Sequence, residues 1–96
     1  MAQNIADNQN GIKQLPKQFS GRGEVRGFQF TLICKTEHAF LYEVQNGGHL
    51  PHYEVFLLKI NIRFNCESYP TAKAFGIWAW TNREKKKALL KLFEIS

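Results

Sequence analysis

Residues 52–64, HYEVFLLKINIRF, decide how this chain is read. Phe56, Leu58, Ile60, Ile62 and Phe64 fall on one side of the alternation, and Tyr53, Val55, Leu57, Lys59, Asn61 and Arg63 on the other. A period of two is the mark of a strand with one buried face. The stretch therefore predicts a long strand whose apolar side meets a core and whose other side turns basic towards its end.

Upstream, residues 24–35 alternate in the same way, with Phe28, Phe30, Leu32 and Cys34 opposed to Gln29, Thr31, Ile33 and Lys35. Residues 39–45 place Phe40, Tyr42 and Val44 on one face, so the two segments read as a hairpin turning near Thr36-Glu37-His38. Asn46-Gly47-Gly48 ends the second strand, because Asn-Gly reaches the positive φ of a turn at little steric cost. Downstream, Tyr69-Pro70 marks residues 65–74 as a loop, and residues 75–80 predict a short fourth strand.

Thr81 with Glu84 three residues later has the form of a capping box, which predicts a helix from there nearly to Ser96. At helical spacing Ala88, Leu89, Leu92 and Ile95 share one side and Arg83, Lys86, Lys87, Lys91 and Glu94 the other. Leu90 and Phe93 fall with or beside the charged group. Residues 1–18, rich in Asn and Gln, read as a flexible tail. The expectation is a single α+β domain over residues 19–96: a three- to four-stranded antiparallel sheet packed by a C-terminal helix.

The size and composition suit one core, since 96 residues with 44% hydrophobic content include eight Phe, three Tyr and two Trp. No stretch approaches the run of about 18 apolar residues that a spanning helix needs, and no leader pattern opens the chain. With Cys34 and Cys66 as its cysteines, expected to be free thiols, the protein is expected to be cytoplasmic and not to engage membranes.

The net charge of +5 is unevenly placed. Residues 1–56 hold five bases and five acids, whereas residues 57–96 hold eight bases against Glu67, Glu84 and Glu94. Lys85, Lys86 and Lys87 lie where a helix begins, and the helix dipole disfavours cations there. Stability alone would not choose that arrangement. An anionic partner would, so Lys59, Arg63, Arg83, Lys86, Lys87 and Lys91 are the candidate contacts for DNA or RNA. A solvated, solubilising helix face is the plain alternative.

Other constellations are weaker. Trp78 and Trp80 read as bulk between sheet and helix more readily than as stacking platforms. Cys34, His38, His49, His52 and Cys66 lack zinc spacing, and neither thiol has an oriented base at a recognisable motif. Gly21-Arg22-Gly23 is too short to cradle a phosphate. No metal, cofactor or catalytic residue is expected, and the chain reads as a non-enzyme.

The segments HYEVF (residues 52–56), Tyr69-Pro70 and FGIWAWT (residues 75–81) resemble a recurring pattern in small proteins of phages and mobile elements from gut bacteria, over about residues 20–96. That resemblance implies an accessory protein and carries over no catalytic residue. The predicted architecture is also similar to small three-stranded DNA-binding domains of plants and to integrase N-terminal modules. Likeness to these implies groove reading by an exposed sheet face, here Gln29, Thr31, Lys35, Lys59, Asn61 and Arg63 together with the less suitable Ile33, Val55 and Leu57. The leading expectation is a non-enzymatic binding module that contacts nucleic acid or another acidic partner through its basic C-terminal surface. The alternative is a homodimeric or protein-interaction accessory protein using Val55, Leu57, Leu90 and Phe93.

Overall fold

The computed structural model describes residues 11–96. Seven strands form along them: β1 (Gln18–Ser20), β2 (Phe28–Lys35), β3 (Ala39–Asn46), β4 (His52–Leu57), β5 (Ile60–Asn61), β6 (Cys66–Glu67) and β7 (Ala79–Asn82). One α-helix, α1 (Lys85–Ile95), follows them. Strands β1-β2-β3-β4-β7 make an antiparallel sheet in that order, and β5 and β6 make a separate ribbon. The α+β class and the C-terminal helix agree with the sequence reading, with five strands in place of three or four.

The long strand expected over residues 52–64 breaks in two. Its first half, β4, lies between β3 and β7, pairing Phe40 with Phe56 and Glu54 with Thr81. Beyond Leu57 the chain leaves the sheet, and Ile60 and Asn61 pair with Glu67 and Cys66 instead. The turn joining them is held by the Phe64 N–H donating to Asn61 Oδ1 at 3.2 Å and by Asn65 at a φ of 54°. Ile62 and Phe64, expected in the core, are 88% and 67% exposed at its tip.

Both faces of the main sheet are covered. On one, Phe30, Phe40, Tyr42, Val44 and Phe56 are buried beneath Phe19, Tyr69, Phe75 and Trp78. Their rings stack or meet edge-on: Phe19 and Phe30 lie 4.6 Å apart and nearly parallel, and Tyr69 meets Phe30 edge-on at 5.1 Å. Such pairs add about 0.5–1.5 kcal/mol each beyond burial. On the other face Ala88 and Leu92 of α1 press on Ala39, Leu41 and Val55, with Leu89 and Ile95 at the margin. The helix register read from the sequence is thus the observed one.

The helix lies on the opposite side of the sheet from that expected. It covers the face that alternation marked as outer, so the exposed groove-reading face of the DNA-binding analogy does not form. Within β2 the alternation is also broken, by a register shift between Leu32 and Cys34. Leu32 pairs with Tyr42 on the aromatic side, whereas Cys34 pairs with Leu41 on the helix side. Ile33 is the extra residue, and such a bulge reverses every side chain after it.

The expectation of a flexible tail over residues 1–18 meets two outcomes. Residues 1–10 lie outside the described residues. From Lys13 onward the chain is strapped across the aromatic face: the Lys13 N–H donates to the Asn65 carbonyl at 2.9 Å, the Leu15 N–H to Glu67 Oε1 at 2.8 Å, and the Tyr42 hydroxyl to the Pro16 carbonyl at 2.7 Å. Polar composition misled here, because long-range backbone bonds hold this segment.

Candidate nucleic-acid interface and an acid-floored groove

The start of α1 differs from a capping box because Thr81 is still strand, paired with Glu54. Glu84 occupies the cap position in an extended conformation, and no side chain caps the helix. Lys85, Lys86 and Lys87 make the first turn, which contains no acid. Three cations therefore stand at the positive end of the dipole, beside the exposed Arg83. Lys87 meets Glu84 at 3.5 Å, but both side chains are mostly solvated, which weakens the pair. Arg83 also borders a shallow cleft with Asn46, His49, His52 and Thr81.

The other sequence candidates do not all join this cluster. Ala39 pairs with Leu57, and Thr36 shares a 2.9 Å hydrogen bond with Ser96, so the C-terminal end of α1 and the end of β4 lie together. Lys59 and Arg63 belong to that end, whereas Asn82, paired with Tyr53, leads into the lysine turn at the other. Lys59 sits 5.7 Å from the Trp78 ring, and Arg63 lies over Phe64 at 5.3 Å. Lys91 is tied down, 4.2 Å from the centre of the Trp80 ring and 3.5 Å from Glu94.

Of the apolar contact candidates, Val55 is a correction: it is fully buried beneath α1. Leu57 is half-buried. Leu90 and Phe93 are 60% and 67% exposed. With Lys86 they form the outward stripe of α1, opposite Ala88 and Leu92.

The aromatic face corrects one sequence expectation, that the carboxylates of Tyr42-Glu43 and Tyr53-Glu54 are solvated on exposed strand positions, because Glu54 is buried, and it adds Glu67, which the sequence did not single out. Glu67 is buried, accepting from Lys35 Nζ at 3.1 Å and from the Leu15 N–H. Glu54 is buried too, with Tyr69 donating its hydroxyl to Oε1 and His52 Nε2 lying 3.2 Å from Oε2. Burial, and then the Glu54 charge, push the Tyr69 pKa far up, so this phenol stays protonated and donates. Burial and Glu67 likewise push Tyr42 up to about 12.

Beside Glu54 a cavity of about 440 Å³ is bounded by Arg22, Val25, Tyr69, Pro70 and Phe75. A second of about 490 Å³ shares Arg22, Val25 and Tyr69 and continues towards Phe19. Together they form a groove open to solvent. Gly21 permits its rim, since a Cβ there would lie 2.1 Å from the Val25 carbonyl oxygen. One sequence signal could have pointed to it: Glu54 sits at an inward position of β4 and so had to be buried. No family model, curated protein or solved structure matches the chain.

Proposed function

We propose that this protein is a non-enzymatic binding module that contacts the phosphate backbone of nucleic acid through Arg83, Lys85, Lys86 and Lys87. The supporting observation is the uncapped first turn of α1, built from three lysines against its own dipole. Cations there cost helix stability, and a polyanion offsets that cost by releasing its counterions. The unbridged thiols of Cys34 and Cys66 suit a reducing cytoplasm, and the sequence pattern suits a phage or mobile-element accessory protein.

Binding of single- and double-stranded DNA and of RNA, measured at several salt concentrations, tests the reading. If all four cations reach phosphates, log K against log salt for duplex DNA has a slope of roughly −3 to −4, and Lys86→Ala reduces it by about 1. Lys59→Ala, at the far end, leaves it unchanged. Absence of salt-sensitive binding at micromolar protein overturns the proposal. A second reading, a homodimer or an acidic protein partner, is favoured by the exposed Leu90 and Phe93 flanking Lys86. Sedimentation decides it: Phe93→Lys dissociates such a dimer, and a wild-type protein that is monomeric at all concentrations removes the homodimer.

A further inference from the structure

Glu54 and Glu67 are both buried carboxylates on the aromatic face, but their charges are met differently. Glu67 has the ammonium of Lys35 and a backbone N–H. Glu54 has a neutral phenol and an imidazole, and among the described residues no Lys or Arg lies within ion-pair distance of it. A carboxylate in a core needs donors to replace the water it has lost. Each of its oxygens carries two lone pairs, and each accepts from one protein partner. Two acceptor positions remain, and Glu54 borders the cavity of about 440 Å³, within the size range of small-ligand sites.

The cavity walls narrow the chemistry. Tyr69, Phe75, Pro70 and Val25 supply flat and apolar surfaces, which suit a planar ring. Arg22 stands exposed at the rim, shared with the neighbouring cavity, where it would meet an anionic tail and repel a free cation. The complementary ligand is planar, offers two parallel N–H donors to the carboxylate and carries negative charge at its outer end.

The geometry points to a guanine-nucleotide site, with the base edge on Glu54 and the phosphate at Arg22. Guanine is the one common base whose Watson–Crick edge presents two adjacent donors, the ring N1–H and the exocyclic amino group. Adenine and cytosine turn a ring acceptor towards the carboxylate, and uracil flanks its one N–H with carbonyls. Paired N–H donors on a carboxylate form a strong, directional contact. Tyr69 supports it by holding Oε1 in place with a hydroxyl that stays protonated. The groove lies on the face opposite α1, so this inference does not depend on the lysine turn.

Calorimetric titration of the full chain with guanosine, inosine and adenosine 5′-monophosphates tests it. Guanosine monophosphate is expected to bind at least tenfold more tightly than adenosine monophosphate, with inosine monophosphate, which lacks the amino group, in between. Glu54→Gln is expected to abolish that ranking. Arg22→Ala weakens the nucleotide but not the nucleoside guanosine. If Glu54→Gln fails to fold, the wild-type ranking still decides. Equal binding of the guanine and adenine nucleotides, tighter binding of a zwitterionic amino acid, or no guanosine monophosphate binding at millimolar concentration each overturns the assignment. Lys86→Ala is expected to leave nucleotide affinity unchanged, so a failure of the polyanion reading is seen separately from a failure here.

Discussion

The two faces of the sheet are built from different materials. Beneath α1 the fully buried contacts are small and aliphatic, Ala88 and Leu92 on Ala39, Leu41 and Val55, with Tyr53 and Trp80 at the margin, and they close without buried charge. Across the other face lie rings from Phe19, Phe30, Phe40, Tyr42, Phe56 and Tyr69, and there too sit both buried glutamates. Short aliphatic side chains between a helix and a sheet leave little room. Rings packed beneath irregular chain leave a groove, and polar groups occupy its margin. The helix therefore keeps its chemistry on its outer surface, whereas the aromatic side carries chemistry within.

Substitutions on the two faces test this contrast. Phe56→Ala removes a fully buried ring from the middle of the aromatic cluster and is expected to cost about 3–5 kcal/mol in urea unfolding. Leu92→Ala, equally buried, is expected to cost about 2–4 kcal/mol, because the helix can settle towards the sheet. A larger loss at Leu92 would break the comparison. Gly21→Ala forces the Val25 carbonyl aside and is expected to cost about 1–3 kcal/mol while reshaping the groove.

Alkaline titration probes the tyrosines of the aromatic face. The Tyr42 pKa rises from 10.0 unfolded to about 12 folded, so above pH 10 the unfolded chain binds fewer protons than the native one. The stability held below pH 10 is therefore lost as pH rises towards about 12. Tyr42→Phe should make this limb shallower, with Tyr69 supplying the rest, at a cost of about 1 kcal/mol for the lost hydrogen bond to Pro16. The smallest expected effect has the opposite sign: Lys85→Glu should stabilise the protein by about 0.3–1 kcal/mol while weakening polyanion binding. Thermal melts and binding isotherms on one sample check both halves.

How much of this was legible in the sequence depended on the range of the forces involved. Alternation in residues 28–32, 39–45 and 52–57, and helical spacing from Ala88 to Ile95, carried the central strands and the helix register, because local periodicity reports which side chains share a face. The break after Leu57 was hidden because Ile60, Ile62 and Phe64 continue the alternation although the chain has left the sheet. Asn61 within that run and Asn65 just after it were the turn signals. The side on which the helix lies was not legible at all, since both faces of the sheet are apolar. The lysine turn could be read from composition. The groove depends on Arg22, Glu54 and Tyr69 meeting across the fold, which spacing does not encode.

The N-terminal strap has a consequence for the order in which the molecule assembles. The Leu15 N–H finds its acceptor on Glu67, 52 residues later, and the Lys13 N–H finds its acceptor on Asn65. On a ribosome this stretch emerges early and has nothing to dock on until the ribbon turn and Glu67 have followed. The hairpin of β2 and β3 can close long before, through contacts near in sequence. The strap is thus synthesised early and fastened late, and in hydrogen exchange its amides should open before those of the central strands.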